Sequence, residues 1–146
     1  MAPITARFTR AAVTVIVLLT AGACAVPSTA PATEQPALER MAAPYADDLR
    51  AMGISRLFVY GDPARVRVTT EFGEVYFRYP AGLAPTQFTL SVGQQAIEAN
   101  SDAFNAGNSA QYEAAMKAVL PEAIRRTNVN NIQEIQQRMS PGGGGG

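Results

Sequence analysis

The chain has 146 residues, with 12 basic and 12 acidic residues, one cysteine and no histidine. This length is enough for one domain. Without histidine, the chain lacks the most frequent general base and the commonest metal ligand. A single cysteine excludes an intramolecular disulfide and a cysteine zinc motif. The composition therefore predicts a protein that is not an enzyme and that needs neither a cofactor nor a metal.

The carboxylates do not change this prediction. Asp47 and Asp48 are adjacent on a predicted helix, so their side chains point about 100° apart. Glu71 and Glu74 flank a predicted hairpin turn, where an exposed carboxylate has neither the burial nor the cleft that a general acid needs. The three asparagines between residues 128 and 131 supply no carboxylate for calcium, and helix capping explains them better.

The N-terminal segment has the order of a secretory signal. Arg7 and Arg10 precede an apolar run, residues 11–19, and small residues follow it. The end of the segment, Ala21, Gly22, Ala23 and Cys24, resembles the lipobox of bacterial lipoproteins. This resemblance implies cleavage before Cys24, acylation of its thiol with palmitate or a similar chain, and export to the outer side of the cell membrane.

Two other interpretations of this segment stay open at this point. The first is an uncleaved membrane anchor, although the apolar stretch from Ala11 to Val26 has 16 residues and a spanning helix needs about 20. The second is an ordinary signal peptide cut after Ala23 or Ala25, which would leave a secreted chain with a free thiol.

The net charge of the chain after cleavage limits the classes of partner that it can bind. Removal of Arg7 and Arg10 leaves ten basic residues against 12 acidic ones, a net charge of −2. This balance predicts no basic footprint for nucleic acid or for docking on anionic lipid. The expected partners are the membrane, through the lipid on Cys24, and a cell-envelope protein or glycan, with no nucleic acid.

The composition divides the chain into four parts. Residues 1–23 are the signal peptide, and residues 24–43 are the lipidated cysteine with a flexible tether of Ala, Pro and Thr. About 20 extended residues of this kind would reach roughly 60 Å. Residues 44–140 form one small α+β domain, and residues 141–146 form a disordered glycine tail.

The domain is predicted to begin with a helix and continue as an antiparallel meander. Pro44 starts the helix, which buries Tyr45, Leu49 and Met52 and ends at Gly53. The strands that follow are 54–60, 65–72 and 74–79, with the second hairpin turn at Phe72 and Gly73. Alternation along the last two strands gives each an apolar and a polar face.

The rest of the domain is predicted to be mainly helical. The segment from Thr86 to Val92 fits a strand or a helix, and we favour a strand because Gly93 interrupts the helical pattern. Helices are expected over 94–106, from Asn108 or Ser109 to a kink or restart at Pro121, and over a last short segment with Ile132, Ile135 and Met139 on one face. The expected fold is a sheet of three or four strands, preceded by one helix and followed by two or three.

The meander provides the candidate binding site. If helices cover one face of the sheet, the open face carries Tyr76, Arg65, Arg67 and Arg78, and Tyr and Arg are enriched in binding hot spots. Strands favour aromatic residues in any case, so a purely structural role is the alternative. We expect a non-enzymatic binding module of the cell envelope. The alternatives are a carrier of lipid or a small apolar ligand, and a prophage-type lipoprotein that blocks entry of related phages.

Overall fold

The structure is a computed structural model that describes residues 31–140, with side chains from residue 35 onward. The predicted signal peptide, Cys24 and the glycine tail lie outside the described residues. The elements are helix α1 (Pro31–Ala42), a 3-10 turn (Ala43–Tyr45), helix α2 (Ala46–Ala51), strands β1 (Ile54–Tyr60), β2 (Arg65–Thr70), β3 (Gly73–Arg78), β4 (Phe88–Val92) and β5 (Ile97–Asn100), and helix α3 (Ser109–Met139).

The α+β class is confirmed, with an antiparallel sheet that has one more strand than expected. Its five strands lie in the order β3-β2-β1-β4-β5, and every neighbouring pair is antiparallel. The predicted first helix is present as the 3-10 turn and α2, with Leu49 buried and Gly53 at a positive φ of 68° just after it. Of the two or three helices expected after the sheet, one is present, α3.

The meander β1-β2-β3 has the predicted alternation. Val66 and Val68 are fully buried on one side of β2, while Arg65 is exposed on the other. The second hairpin turn is one residue earlier than predicted. Thr70 pairs with Gly73, so Glu71 and Phe72 form the two-residue turn.

The connection from β3 to β4 brings β4 beside β1. It passes over the end of the first hairpin, where the Tyr79 hydroxyl donates to the Tyr60 carbonyl at 2.8 Å. A Cβ at Gly61 would lie 2.6 Å from the Ala84 carbonyl oxygen. Only glycine permits this close approach, so Gly61 determines where the β3–β4 connection passes over the first hairpin.

The helix predicted over 94–106 is absent, and this prediction was wrong. The segment turns tightly, with the Gly93 amide bonded to the Ala96 carbonyl at 2.9 Å, and then forms β5 against β4. Ile97 and Ala99 are buried, while the residues between and after them are exposed. Strand pairing outweighs the helical propensity of this segment because the apolar side chains reach the core with a period of two.

A kink or a restart was predicted at Pro121, and of these two the restart is absent, because α3 continues through the proline and includes the segment predicted as a separate last helix. The buried positions on both sides of the proline form one continuous seam: Tyr112, Ala115, Met116, Val119, Leu120, Ala123 and Thr127. Pro121 itself is exposed. We attribute the continuity to this shared seam, whose burial offsets the roughly 3 kcal/mol cost of an interior proline.

Ion pairs connect side chains on the exposed side of α3, near its middle. Arg125 donates from Nε to Glu122 at 2.8 Å, and Arg126 also bonds this carboxylate. These two hydrogen bonds lower the pKa of Glu122 to about 2. A carboxylate with a lowered pKa adds stability above its unfolded value of about 4.3, and that contribution disappears as the pH falls towards 2.

The last turns of α3 present their polar side to the body of the protein. Asn131 donates to the Met52 carbonyl at 3.1 Å, and the guanidinium of Arg138 lies 5.1 Å from the centre of the Phe72 ring. Ile132, Ile135 and Met139 share a helix face as predicted, but this face is exposed to solvent. None of the helices within residues 31–140 has the length and apolar character that crossing a membrane requires.

Helix α1 lies in the segment that was expected to be a flexible tether, so the folded part begins upstream of Pro44. Leu38 and Ala42, one helical turn apart, are fully buried, and α1 packs against β5 and α3. The prediction of a tether was based on composition, because Ala and Pro dominate the segment. Tertiary packing of one apolar stripe, rather than propensity, holds most short helices in proteins.

We predict that Leu38→Ala destabilises the domain by about 2–5 kcal/mol, because truncating a buried leucine leaves a cavity. Arg40→Ala, on the exposed side of the same helix, is the matched control and should cost under about 0.5 kcal/mol. Urea unfolding monitored by circular dichroism measures both. Equal, negligible effects would show that α1 is not part of the core.

Candidate functional site

The helices cover one face of the sheet, and no element within residues 31–140 covers the other. We call the uncovered side the open face. Its cationic and aromatic side chains come from the three strands of the meander: Arg56, Phe58 and Tyr60 from β1, Arg65 and Arg67 from β2, and Tyr76 and Arg78 from β3. All four site residues predicted from the sequence therefore lie together on this face.

Guanidinium groups stack on the aromatic rings of β1. The guanidinium carbon of Arg67 lies 4.2 Å from the centre of the Phe58 ring, and that of Arg56 lies 5.8 Å from it. Arg65 lies 4.5 Å from the centre of the Tyr60 ring. Such contacts orient the guanidinium planes and contribute about 0.5–1 kcal/mol each at exposed sites. The arginines are thus partly pre-organised on the sheet surface.

Arg65 and Arg78 are directly opposite each other on β2 and β3. Like charges in directly opposed positions destabilise a sheet. Within the described residues, neither guanidinium has a carboxylate within ion-pair distance. This pair is therefore an uncompensated cationic site, which an anion bound from solution would neutralise.

Tyr76 lies at the centre of a short polar network. It pairs with Arg67 across the strands, and its hydroxyl donates to the Glu74 carboxylate. This hydrogen bond raises the pKa of Tyr76 above its usual value of 10. Arg67 in turn lies 3.8 Å from Glu74. Tyr76 is nevertheless 60% exposed, so a partner can reach this residue.

A polar groove continues the open face towards β5. It has a volume of about 400 Å³ and is bounded by Arg56, Thr89, Ser91, Glu98 and Asn100, with Gln35 of α1 at its rim. The Gln35 amide donates to the Asn100 side-chain oxygen at 3.5 Å. The groove is open to solvent and lined mainly by uncharged polar groups, so it offers hydrogen bonds rather than an apolar pocket.

Sequence reasoning did not assign four residues to this surface. Arg56, Phe58 and Tyr60 alternate with Leu57 and Val59 along β1, and this alternation could have assigned them to the same face as Arg67. No such alternation marks Gln35, whose segment was interpreted as part of the tether.

The other sequence candidates do not converge on a catalytic arrangement. Glu71 and Glu74 are both exposed at the end of the hairpin. Asp47 is bonded to Arg50 at 3.0 Å on α2. Within residues 31–140, no cluster of three acidic or cysteine side chains could hold a metal ion.

Comparison with known proteins gives no family assignment. No protein-family model, no curated protein and no solved structure matches the chain.

Proposed function

We propose that this protein is an exported lipoprotein, anchored through Cys24, whose folded domain acts as a non-enzymatic binding module in the cell envelope. The open face is its binding surface. Its partner is an anionic component of the envelope, which contacts Arg65, Arg67, Arg78 and Tyr76.

The observation that carries this proposal is the directly opposed pair Arg65 and Arg78, neither of which has a carboxylate within ion-pair distance among the described residues. Two unpaired like charges in directly opposed positions lower the stability of a sheet, so the fold itself does not explain this pair. Guanidinium groups form strong, often bidentate hydrogen bonds with phosphate and carboxylate oxygens. An anionic partner would thus relieve a repulsion that the free protein retains.

Support for the anchor comes from the sequence alone. The basic, apolar and small residues before Cys24 have the order of an export signal. One acyl chain holds a protein only reversibly, so stable anchoring needs two chains or one chain with a second contact. A cationic face on the domain is suited to provide a second contact.

The carrier alternative has less support. A carrier of an apolar ligand would need a cavity between the sheet and α3. In the structure this layer is occupied by Phe88, Phe104, Tyr112, Met116 and Leu120, all buried. The phage-exclusion alternative is a biological role for the same anchored binding module, and no observation on the chain favours it.

The anchor predicts that Cys24→Ala abolishes labelling by an alkyne fatty acid and releases the protein from membranes, because the chain then lacks its only thiol. Ser28→Ala, four residues further on, is the control and should stay labelled and membrane-bound. An unlabelled wild type that still sediments with membranes would indicate an uncleaved helix. An unlabelled, soluble wild type would indicate an ordinary signal peptide.

The binding surface predicts that the double variant Arg65→Gln and Arg78→Gln weakens binding of a soluble polyanion, inorganic polyphosphate, by about tenfold or more, the equivalent of one charge-assisted hydrogen bond. Isothermal titration calorimetry measures the affinity. Arg40→Gln with Arg125→Gln makes the same change in net charge away from the open face. If both double variants weaken binding equally, the open face is not the anion site.

A further inference from the structure

We propose that the anionic partner of the open face is the phospholipid bilayer that holds the anchor, and that the arginines of this face contact headgroup phosphates. This inference rests on the proposed function, because it takes acylation of Cys24 as given. It goes beyond that function by naming the partner and by fixing the orientation of the domain.

The first argument is the length of chain between the anchor and the fold. Helix α1 begins at Pro31, so only residues 25–30 separate it from Cys24. Seven fully extended steps span at most about 25 Å. A five-stranded sheet is itself roughly 20 Å wide, at about 4.8 Å between strands. The domain therefore cannot move more than about its own width from the headgroups.

The second argument is where the anchored end of the chain enters the domain. Gln35, about one turn into α1, lies at the rim of the open face, where it contacts Asn100 and borders the same groove as Arg56. A short linker that enters at this rim keeps this edge of the open face close to the bilayer.

The third argument is charge complementarity. Most basic residues of the helices have acidic partners: Lys117 pairs with Glu113 at 2.6 Å, and Arg125 pairs with Glu122 at 2.7 Å, whereas Arg40 and Arg138 have no carboxylate within ion-pair distance among the described residues. On the open face, Arg65 and Arg78 also lack such partners within residues 31–140, and they are directly opposite each other. The net charge of the chain does not reveal this clustering, because it sums over both sides of the domain. An anionic bilayer therefore attracts the face with adjacent unpaired arginines more strongly than the helical side, where most basic charges are paired.

The aromatic residues of the open face fit the same partner. Tyr76 is exposed, and the Tyr60 ring lies beneath Arg65. Tyrosine combines an apolar ring with a polar hydroxyl, and for this reason it is enriched at membrane interfaces. Together with the arginines, these rings lie on an exposed sheet surface, which suits contact with headgroups.

A competing membrane contact is the exposed apolar face of α3 with Val129, Ile132, Ile135 and Met139. Contact through this face would depend on apolar insertion and would be insensitive to salt. Contact through arginines requires anionic lipid and weakens as salt screens the charges. The two modes can therefore be separated by lipid composition and ionic strength.

The test uses the lone cysteine. Acylation consumes the thiol of Cys24, so an introduced cysteine is the only free thiol of the anchored protein. Ser91→Cys places a polarity-sensitive fluorophore in the groove of the open face, and Gln136→Cys places it beside the apolar face of α3. The acylated full-length product is reconstituted into vesicles of phosphatidylcholine alone, or of phosphatidylcholine with phosphatidylglycerol.

We expect the Ser91→Cys probe to shift to the blue only in vesicles that contain phosphatidylglycerol, and the shift to reverse at high salt. The probe on Gln136→Cys should not respond. Replacing Arg56, Arg65 and Arg78 by Gln should lower the docking equilibrium constant about a hundredfold, at roughly fivefold per arginine. Replacing Arg40, Lys117 and Arg125 by Gln is the charge-matched control and should leave docking unchanged.

Three results would overturn the proposal. A response of the α3 probe, or a shift that persists at high salt, would assign the contact to the apolar face. No response from either probe, in protein that floats with the vesicles and binds polyphosphate, would reject the bilayer as partner but keep the proposed function, with an envelope protein or glycan as its ligand. Failure to float with any vesicle would reject the anchor, and this inference with it.

Discussion

The contact on which the rest of the structure depends is the packing of α3 against one face of the sheet, centred on Tyr112. This side chain is fully buried and meets Phe88 and Phe104 edge to face, at ring-centre distances of 5.6 Å and 5.2 Å. Its hydroxyl lies 2.8 Å from that of Ser101, so its polar atom is paired inside the core. Burial of large aromatic residues dominates the energetics of small cores.

Because α3 buries only one face of the sheet, the residues of the other face are exposed to solvent. Side chains alternate along each strand, so the positions between the buried Leu57, Val59, Val66 and Val68 point away from α3. No described element covers those positions, and the chain places arginine and aromatic residues there. The functional surface is thus a direct consequence of the packing on the opposite side. The arginine–ring contacts orient guanidinium groups on that surface.

The sequence predicted best those elements whose side chains alternate clearly between apolar and polar. The strands β1 to β3 and the placement of Arg65, Arg67, Arg78 and Tyr76 on one face follow from that alternation. Segments of small residues gave no such signal, so α1 was interpreted as tether and β5 as helix. Helix α1 depends on β5 and α3, far along the chain, and β5 depends on pairing with β4, which its own local composition does not indicate. The net charge, by contrast, gave no indication of these clustered arginines, because it sums over both sides of the domain.

The central claim is that the sheet is buried on one side and open on the other. The most direct test compares two adjacent residues of β2 that point to opposite faces, Val68 and Thr69. We expect Val68→Asn to lower the free energy of unfolding by about 3 kcal/mol or more, because it buries an amide in the core. Thr69→Asn should cost under about 1 kcal/mol, the range of strand propensity at a solvent-facing site. Equal losses in urea unfolding would contradict the account, because they would mean that both faces of the sheet are covered.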